Sequence, residues 1–283
     1  MFERISSSLS PHSAICAFAG GALPHTILSC CQGTLLAMFS TPAVLPLRAT
    51  CADALRATAA HPWTDFDTVI RGRLAAWRAC FPCARSANVR KYAYGGGAVR
   101  QAPVVDADFV HLEGLWELNI CECTFITDAA FAHLQGVQRL SIWDCQPFAG
   151  QPYILSDAAF AHLRGIRVLN MSWCKQFTDA AFAHLQGIHA LFMWNCNQPT
   201  ITDAALAHLA GIHTLILEDC TQSFTAAGLA HLRGIQRLSL ADAAPATVEA
   251  AQALGLPVTT RRISGKRAFA PILAGEGGGE RRA

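Results

Sequence analysis

Between residues 104 and 243 the chain alternates between two kinds of hydrophobic pattern. In the first, Ser or Thr precedes Asp-Ala-Ala, an apolar residue and Ala-His-Leu, with Gly two positions further on. It runs from Thr127 to Gly136, Ser156 to Gly165, Thr178 to Gly187 and Thr202 to Gly211. A hydroxyl that accepts a free backbone N–H, an Asp in the first turn and a left-handed Gly at the far end together predict a short, capped helix. In the second pattern apolar residues alternate with period two and end on Cys, as in Ile188 to Cys196 and Ile212 to Cys220, which predicts a strand. Diverged copies begin at Asp106 and Thr225. The His-Leu pair recurs at His111, His133, His162, His184, His208 and His231, with spacings of 22, 29, 22, 24 and 23 residues.

A strand followed by a helix, repeated, makes successive strands parallel, because each connection has to cross back over the sheet. The period and the Cys123, Cys145, Cys174, Cys196 and Cys220 series, each Cys twelve positions after its His, resemble the cysteine-containing leucine-rich-repeat subfamily. The resemblance implies an α/β solenoid: a horseshoe with the parallel sheet on its concave face and short helices on its convex face. Six repeats are expected over 104–243. A C-terminal capping repeat is expected over 244–264, where Ala243 stands in place of Cys, and a disordered tail over 265–283. An N-terminal cap is expected over 71–103 and a helical segment over 1–70.

Strand positions between the core residues should face the hollow. They are Glu117, Asn119 and Cys121; Arg139, Ser141 and Trp143; Val168, Asn170 and Ser172; Ala190, Phe192 and Trp194; Thr214, Ile216 and Glu218. These residues vary while the framework around them does not, so they are the expected partner-binding face. Trp143, Trp173, Phe192 and Trp194 come from three consecutive repeats. At about 4.8 Å per strand they can form one aromatic patch, and Trp is enriched where partners bind most strongly. The alternative for Trp173, one residue nearer the turn, is to tuck under the loop. The longest spacing places a loop within 146–155 beside Trp143.

Composition fits a stack in which every unit is covered by two neighbours: 52% of residues are apolar and 15% charged. A net charge of +2 leaves no footprint for a phosphate backbone, so nucleic acid is not an expected partner. The Met-Phe-Glu-Arg start lacks the net positive charge of a secretory signal, so the 12 cysteines are expected as free thiols in a reducing compartment, cytoplasmic or nuclear. From Ile5 to Leu47 there is no charged residue, but Pro11, Pro24, Gly33, Pro42 and Pro46 interrupt the stretch, which argues against a membrane span.

The Cys and His ladders invite a metal reading. Equivalent residues about 4.8 Å apart in a line do not converge on one ion at about 2.0 to 2.3 Å, so structural roles are expected and no metal or cofactor. Cys80-Phe-Pro-Cys83 has redox spacing, but it ends a helical stretch rather than lying between strand and helix. No catalytic constellation is evident.

Between Thr34 and Trp63 the pattern resembles an F-box, an apolar helix followed by a Pro turn, a Leu-x-Leu-Arg-x-x-Cys helix and Pro-Trp. The correspondence falls on Leu36, Phe39, Leu45, Leu47, Cys51, Leu55 and Trp63 and lacks the usual acidic residues of the first half. With cysteine-type repeats it implies a substrate receptor of a cullin-type ubiquitin ligase: the adaptor on the F-box, the target on the horseshoe. The alternatives are a plain binding scaffold with a structural helical cap, and a membrane-tethered form.

Overall fold

In the computed structural model the described residues are 52–64, 66, 69–70, 73–89, 103–145 and 155–262. They fall into two units divided between Asn88 and Val89. Leu36, Phe39, Leu45, Leu47 and Cys51, most of the 146–155 loop and the expected tail lie outside the described residues.

In the first unit, helices at Ala52–Ala60 and Leu74–Cys80 precede strand β1 (Ser86–Asn88). Trp63 is central: its indole Nε1 donates to the Thr58 carbonyl (2.7 Å), and its ring meets Phe81 edge-on at 5.5 Å. The Arg85 N–H donates to the Trp63 carbonyl and the Ile70 N–H to that of Asn88, both at 2.7 Å.

The second unit carries β2 (Glu117–Asn119), β3 (Arg139–Ser141), β4 (Val168–Asn170), β5 (Ala190–Trp194), β6 (Thr214–Glu218), β7 (Arg237–Ser239) and β8 (Val258–Thr259), side by side in chain order. Each pairs in parallel with the next, and the register places Leu118, Leu140, Leu169, Leu191, Leu215 and Leu238 in one row. All six are fully buried. The helix Pro245–Ala253 and β8 occupy the expected capping segment.

The connecting helices are short. Asp106–Leu112 and Asp157–Leu163 are wound as 3-10 turns, and Asp128–Phe131 is α-helical before tightening over Ala132–Leu134. Seven residues bounded by a cap and a turn leave little room for 13-atom rings, so the tighter winding competes. The N-caps form as expected: Thr127, Ser156, Thr178 and Thr202 each accept from the backbone N–H two residues on. Each Gly that follows is left-handed, φ between +79° and +90° at Gly136, Gly165, Gly187, Gly211 and Gly234. The residue before Gly136 is extended (φ −59°, ψ 129°), and the Val137 N–H returns to the Leu134 carbonyl at 3.1 Å, so the helix closes through a type II turn.

The conserved spacing hides a second function for the Asp. Asp106 accepts from the Thr127 N–H (2.7 Å) and hydroxyl (2.6 Å). Asp128 does the same for Ser156, Asp157 for Thr178, Asp179 for Thr202 and Asp203 for Thr225. The cap hydroxyl of one repeat is thus bonded to the carboxylate of the repeat before it, and the rungs tie the helices into a row. Among the described residues no helix is long and apolar enough to cross a membrane.

Candidate functional site

After each strand the chain turns through one left-handed residue: Glu122, Asp144, Trp173, Asn195, Asp219 and Asp242, with φ between 53° and 63°. The next residue is Ala243 after Asp242 and otherwise the repeat Cys. Its thiol points inward and donates to the carbonyl of the preceding repeat, Cys145 to Ile120 (3.1 Å), Cys174 to Ile142 (3.1 Å), Cys196 to Met171 (3.3 Å) and Cys220 to Met193 (3.0 Å). Burial pushes these thiols up: Cys145, Cys174 and Cys196 well above the usual range and Cys220 to about 12. They are inert, protonated donors. Three glutamines beyond the Cys extend this arrangement, Gln176 Nε2 donating to the Cys145 carbonyl, Gln198 to that of Cys174 and Gln222 to that of Cys196. Strand, turn and thiol therefore repeat as one unit in register. The fold is a leucine-rich-repeat solenoid.

Among the described residues no group of three or more His, Cys, Asp and Glu is arranged to hold a metal ion. Of the described cysteines, Cys83 is exposed and Cys80 partly so, and the repeat thiols are buried.

On the solenoid's sheet, the predicted face residues form three rows. In the first, Glu117 and Arg139 pair at 3.2 Å, with the guanidinium 5.1 Å from the Trp116 ring, and Val168, Ala190 and Thr214 continue the row. The second holds Asn119, Ser141, Asn170, Phe192 and Ile216. The third, two residues along each strand direction, holds Cys121, Trp143, Ser172, Trp194 and Glu218. Several positions of this face are buried: Phe192 is 4% exposed and Ile216 and Glu218 are 3% exposed. Polar members bond within the face, as Ser239 Oγ does to Glu218 Oε1 (2.8 Å) and Cys121 Sγ with Ser141 Oγ (3.1 Å). Asn119 and Asn170 each accept from the backbone N–H two residues on. Half-exposed positions remain at Asn119, Trp143, Asn170, Trp173 and Trp194.

Three of the four predicted aromatics come together. Trp143 and Trp194 share a row with Ser172 between them, and the left-handed turn at Trp173 brings a third ring between the two. Trp173 meets Trp143 edge-on at 6.4 Å and Trp194 at 6.0 Å. The Trp194 N–H donates to Ser172 Oγ (3.0 Å), and that of Trp173 to the Trp194 carbonyl (2.7 Å). Phe192 lies one row away and is buried.

Residues that sequence reasoning did not single out complete the cluster. The Trp194 indole donates to Asp219, which also accepts from Arg262, and Arg262 Nε donates to Asp242 at 2.7 Å. Lys175 Nζ lies 5.9 Å from the Trp173 ring centre. Burial raises the Asp144 carboxyl, and Lys175 opposes that shift. The available signal was the position before each repeat Cys, where three residues are acidic, one is Asn and one is Trp, with Asp242 at the same place before Ala243.

Of the F-box-like positions, Trp63 is 2% exposed and packed between His61 and Phe81. A large ring with a satisfied N–H gains more from burial than from exposure. Leu55 lies in the helix Ala52–Ala60.

No family model and no curated protein matches the sequence. Among solved structures, the chain is similar to TLR13 in its complex with ssRNA13, at 16% identity and a TM-score of 0.43 over 61% of this chain and 27% of that one. Human 5T4, also called Wnt-activated inhibitory factor 1 or trophoblast glycoprotein, gives 19% and 0.38 over 57% of this chain and 70% of that one. Toll in the Drosophila Toll–Spatzle complex gives 17% and 0.35 over 57% and 27%. The chain thus spans about a quarter of the TLR13 and Toll chains.

Proposed function

We propose that this chain is a protein-recognition module whose target docks on the sheet around Trp143, Trp173 and Trp194. One observation carries the reading. The left-handed turn holds Asp, Asn or Glu in five repeats and Trp in the sixth. A left-handed backbone costs a residue with Cβ about 1–2 kcal/mol, and Asp or Asn eases that with local hydrogen bonds while Trp does not. Such strain gathers where function requires it, and here it sets a half-exposed indole between two others. The test is affinity capture with wild type, Trp143→Ala and Trp194→Ala. The variants are expected to lose bound proteins while melting within a few degrees of wild type. An unchanged captured set overturns the proposal.

The finer reading is a substrate receptor of a cullin-type ubiquitin ligase. It is supported by the F-box-like pattern over 34–63 alone; the competing reading is a scaffold with a structural helical cap. Adaptor and cullin are expected to co-purify from a eukaryotic lysate, and absence of both removes the ligase role. Deleting residues 1–70 separates the two: the repeats stay folded if the segment is an F-box and unfold if it is their cap.

A further inference from the structure

We infer that the strip running from Trp173 and Trp194 to Asp219 and Asp242 is a receptor for arginine side chains of the partner, and that Arg262 occupies it in this structure as an internal stand-in. This deepens the proposed function and rests on it.

The first ground is charge. The left-handed turns line up Glu122, Asp144, Asp219 and Asp242 along one edge of the sheet, with Trp173 and Trp194 between the two acidic pairs. An edge of carboxylates interrupted by indoles is complementary to a segment carrying guanidinium groups, because those groups both bond carboxylates through a planar fork and stack on aromatic faces.

The second ground is independent of the acidic row: two cations already show both modes. Arg262, from the segment after β8, reaches back to Asp219 with Nη2 while Nε holds Asp242 at 2.7 Å, so one guanidinium bridges two successive turns. Lys175 sits over the Trp173 ring at 5.9 Å. Asp219 is further fixed by the Trp194 indole, which ties the carboxylate to the aromatic cluster. The Arg262 side chain is 54% exposed, so its hold is that of a surface ion pair and a partner's arginine can replace it.

The test is fluorescence anisotropy of the full chain with a fluorescein-labelled peptide of alternating arginine and glycine, and with lysine-glycine and glutamate-glycine peptides as controls. Wild type is expected to prefer the arginine peptide. Arg262→Gln vacates the clasp and is expected to tighten binding about threefold, the range of one exposed ion pair. Asp219→Asn and Trp194→Phe are expected to weaken it, Asp219→Asn by about tenfold for a lost charged hydrogen bond. If Asp219→Asn lowers the melting temperature markedly, Asp242→Asn takes its place, since that carboxylate is 59% exposed and paired with the exposed Arg262.

Equal binding of the glutamate peptide, no binding by wild type and Arg262→Gln alike, or an Arg262→Gln affinity no tighter than wild type overturns the inference. Loss of captured partners in Trp143→Ala and Trp194→Ala alongside any of these outcomes leaves the proposed function standing and removes only the arginine specificity. Unchanged capture in both removes the docking reading itself.

Discussion

At the scale of single residues, the backbone conformations make the sharpest predictions. Gly187 sits at φ +79° with no atom near enough to touch an added methyl. Gly187→Ala therefore isolates backbone strain and is expected to destabilise by about 1–2 kcal/mol, measured by urea unfolding; no loss means that the turn relaxes freely. The thiols give a pH prediction. Cys145, Cys174, Cys196 and Cys220 titrate higher when folded than the ordinary thiol near 8.5. The folded state then holds protons that the unfolded chain releases. Their contribution is complete below about pH 8.5 and is lost above it, by up to about 1.4 kcal/mol per pH unit for each thiol. Chemical denaturation at pH 8 and pH 10 checks the sign; equal stability at both, once lysine and tyrosine titration is matched in a Cys220→Ala control, contradicts it. Native alkylation at pH 8 is expected to label exposed Cys83 and leave these four unlabelled until urea is added.

At the scale of elements, the rung between Asp157 and Thr178 is the unit of stacking. Asp157→Ala and Thr178→Val are each expected to cost about 1–2 kcal/mol, because the Thr also caps its own helix. The double variant should show a coupling of about 1 kcal/mol; strict additivity means that the rung contributes nothing. Helices, strands and caps were legible in the sequence because Thr178, Phe182, Gly187 and Cys196 act within one repeat, where spacing alone reveals them. The rungs were not, because Asp157 reads as a favourable first-turn charge until the register between repeats places Thr178 over it. The gathering of Trp143 with Trp194 was legible from the strand period. The role of Trp173 was left open between patch and loop, because its direction depends on a left-handed φ that Trp rarely adopts. Arg262 gave no signal at all, since its contact with Asp219 spans 43 residues.

At the scale of the whole molecule, stability passes from each repeat to the next. Removing residues 244–262 exposes the β7 edge, leaves the Phe224 N–H without the Thr247 hydroxyl and deletes Arg262. The truncated chain is expected to melt lower and to self-associate at an unpaired edge, seen by size-exclusion chromatography with light scattering; an unchanged melt means that the last unit is not a cap. The rungs also stop in an orderly way. After Asp203 bonds Thr225, the next repeat has Ala226 where Asp would stand, and Ala244 follows where Thr would receive it. Every interior unit therefore offers a hydroxyl backward and a carboxylate forward, like a tile with one tongue and one groove. A second copy of residues 178–201 spliced in after the first would meet matching partners on both sides, so this chain can change its length by whole tiles, and with it the number of indoles set along the sheet, without any new joint having to be invented.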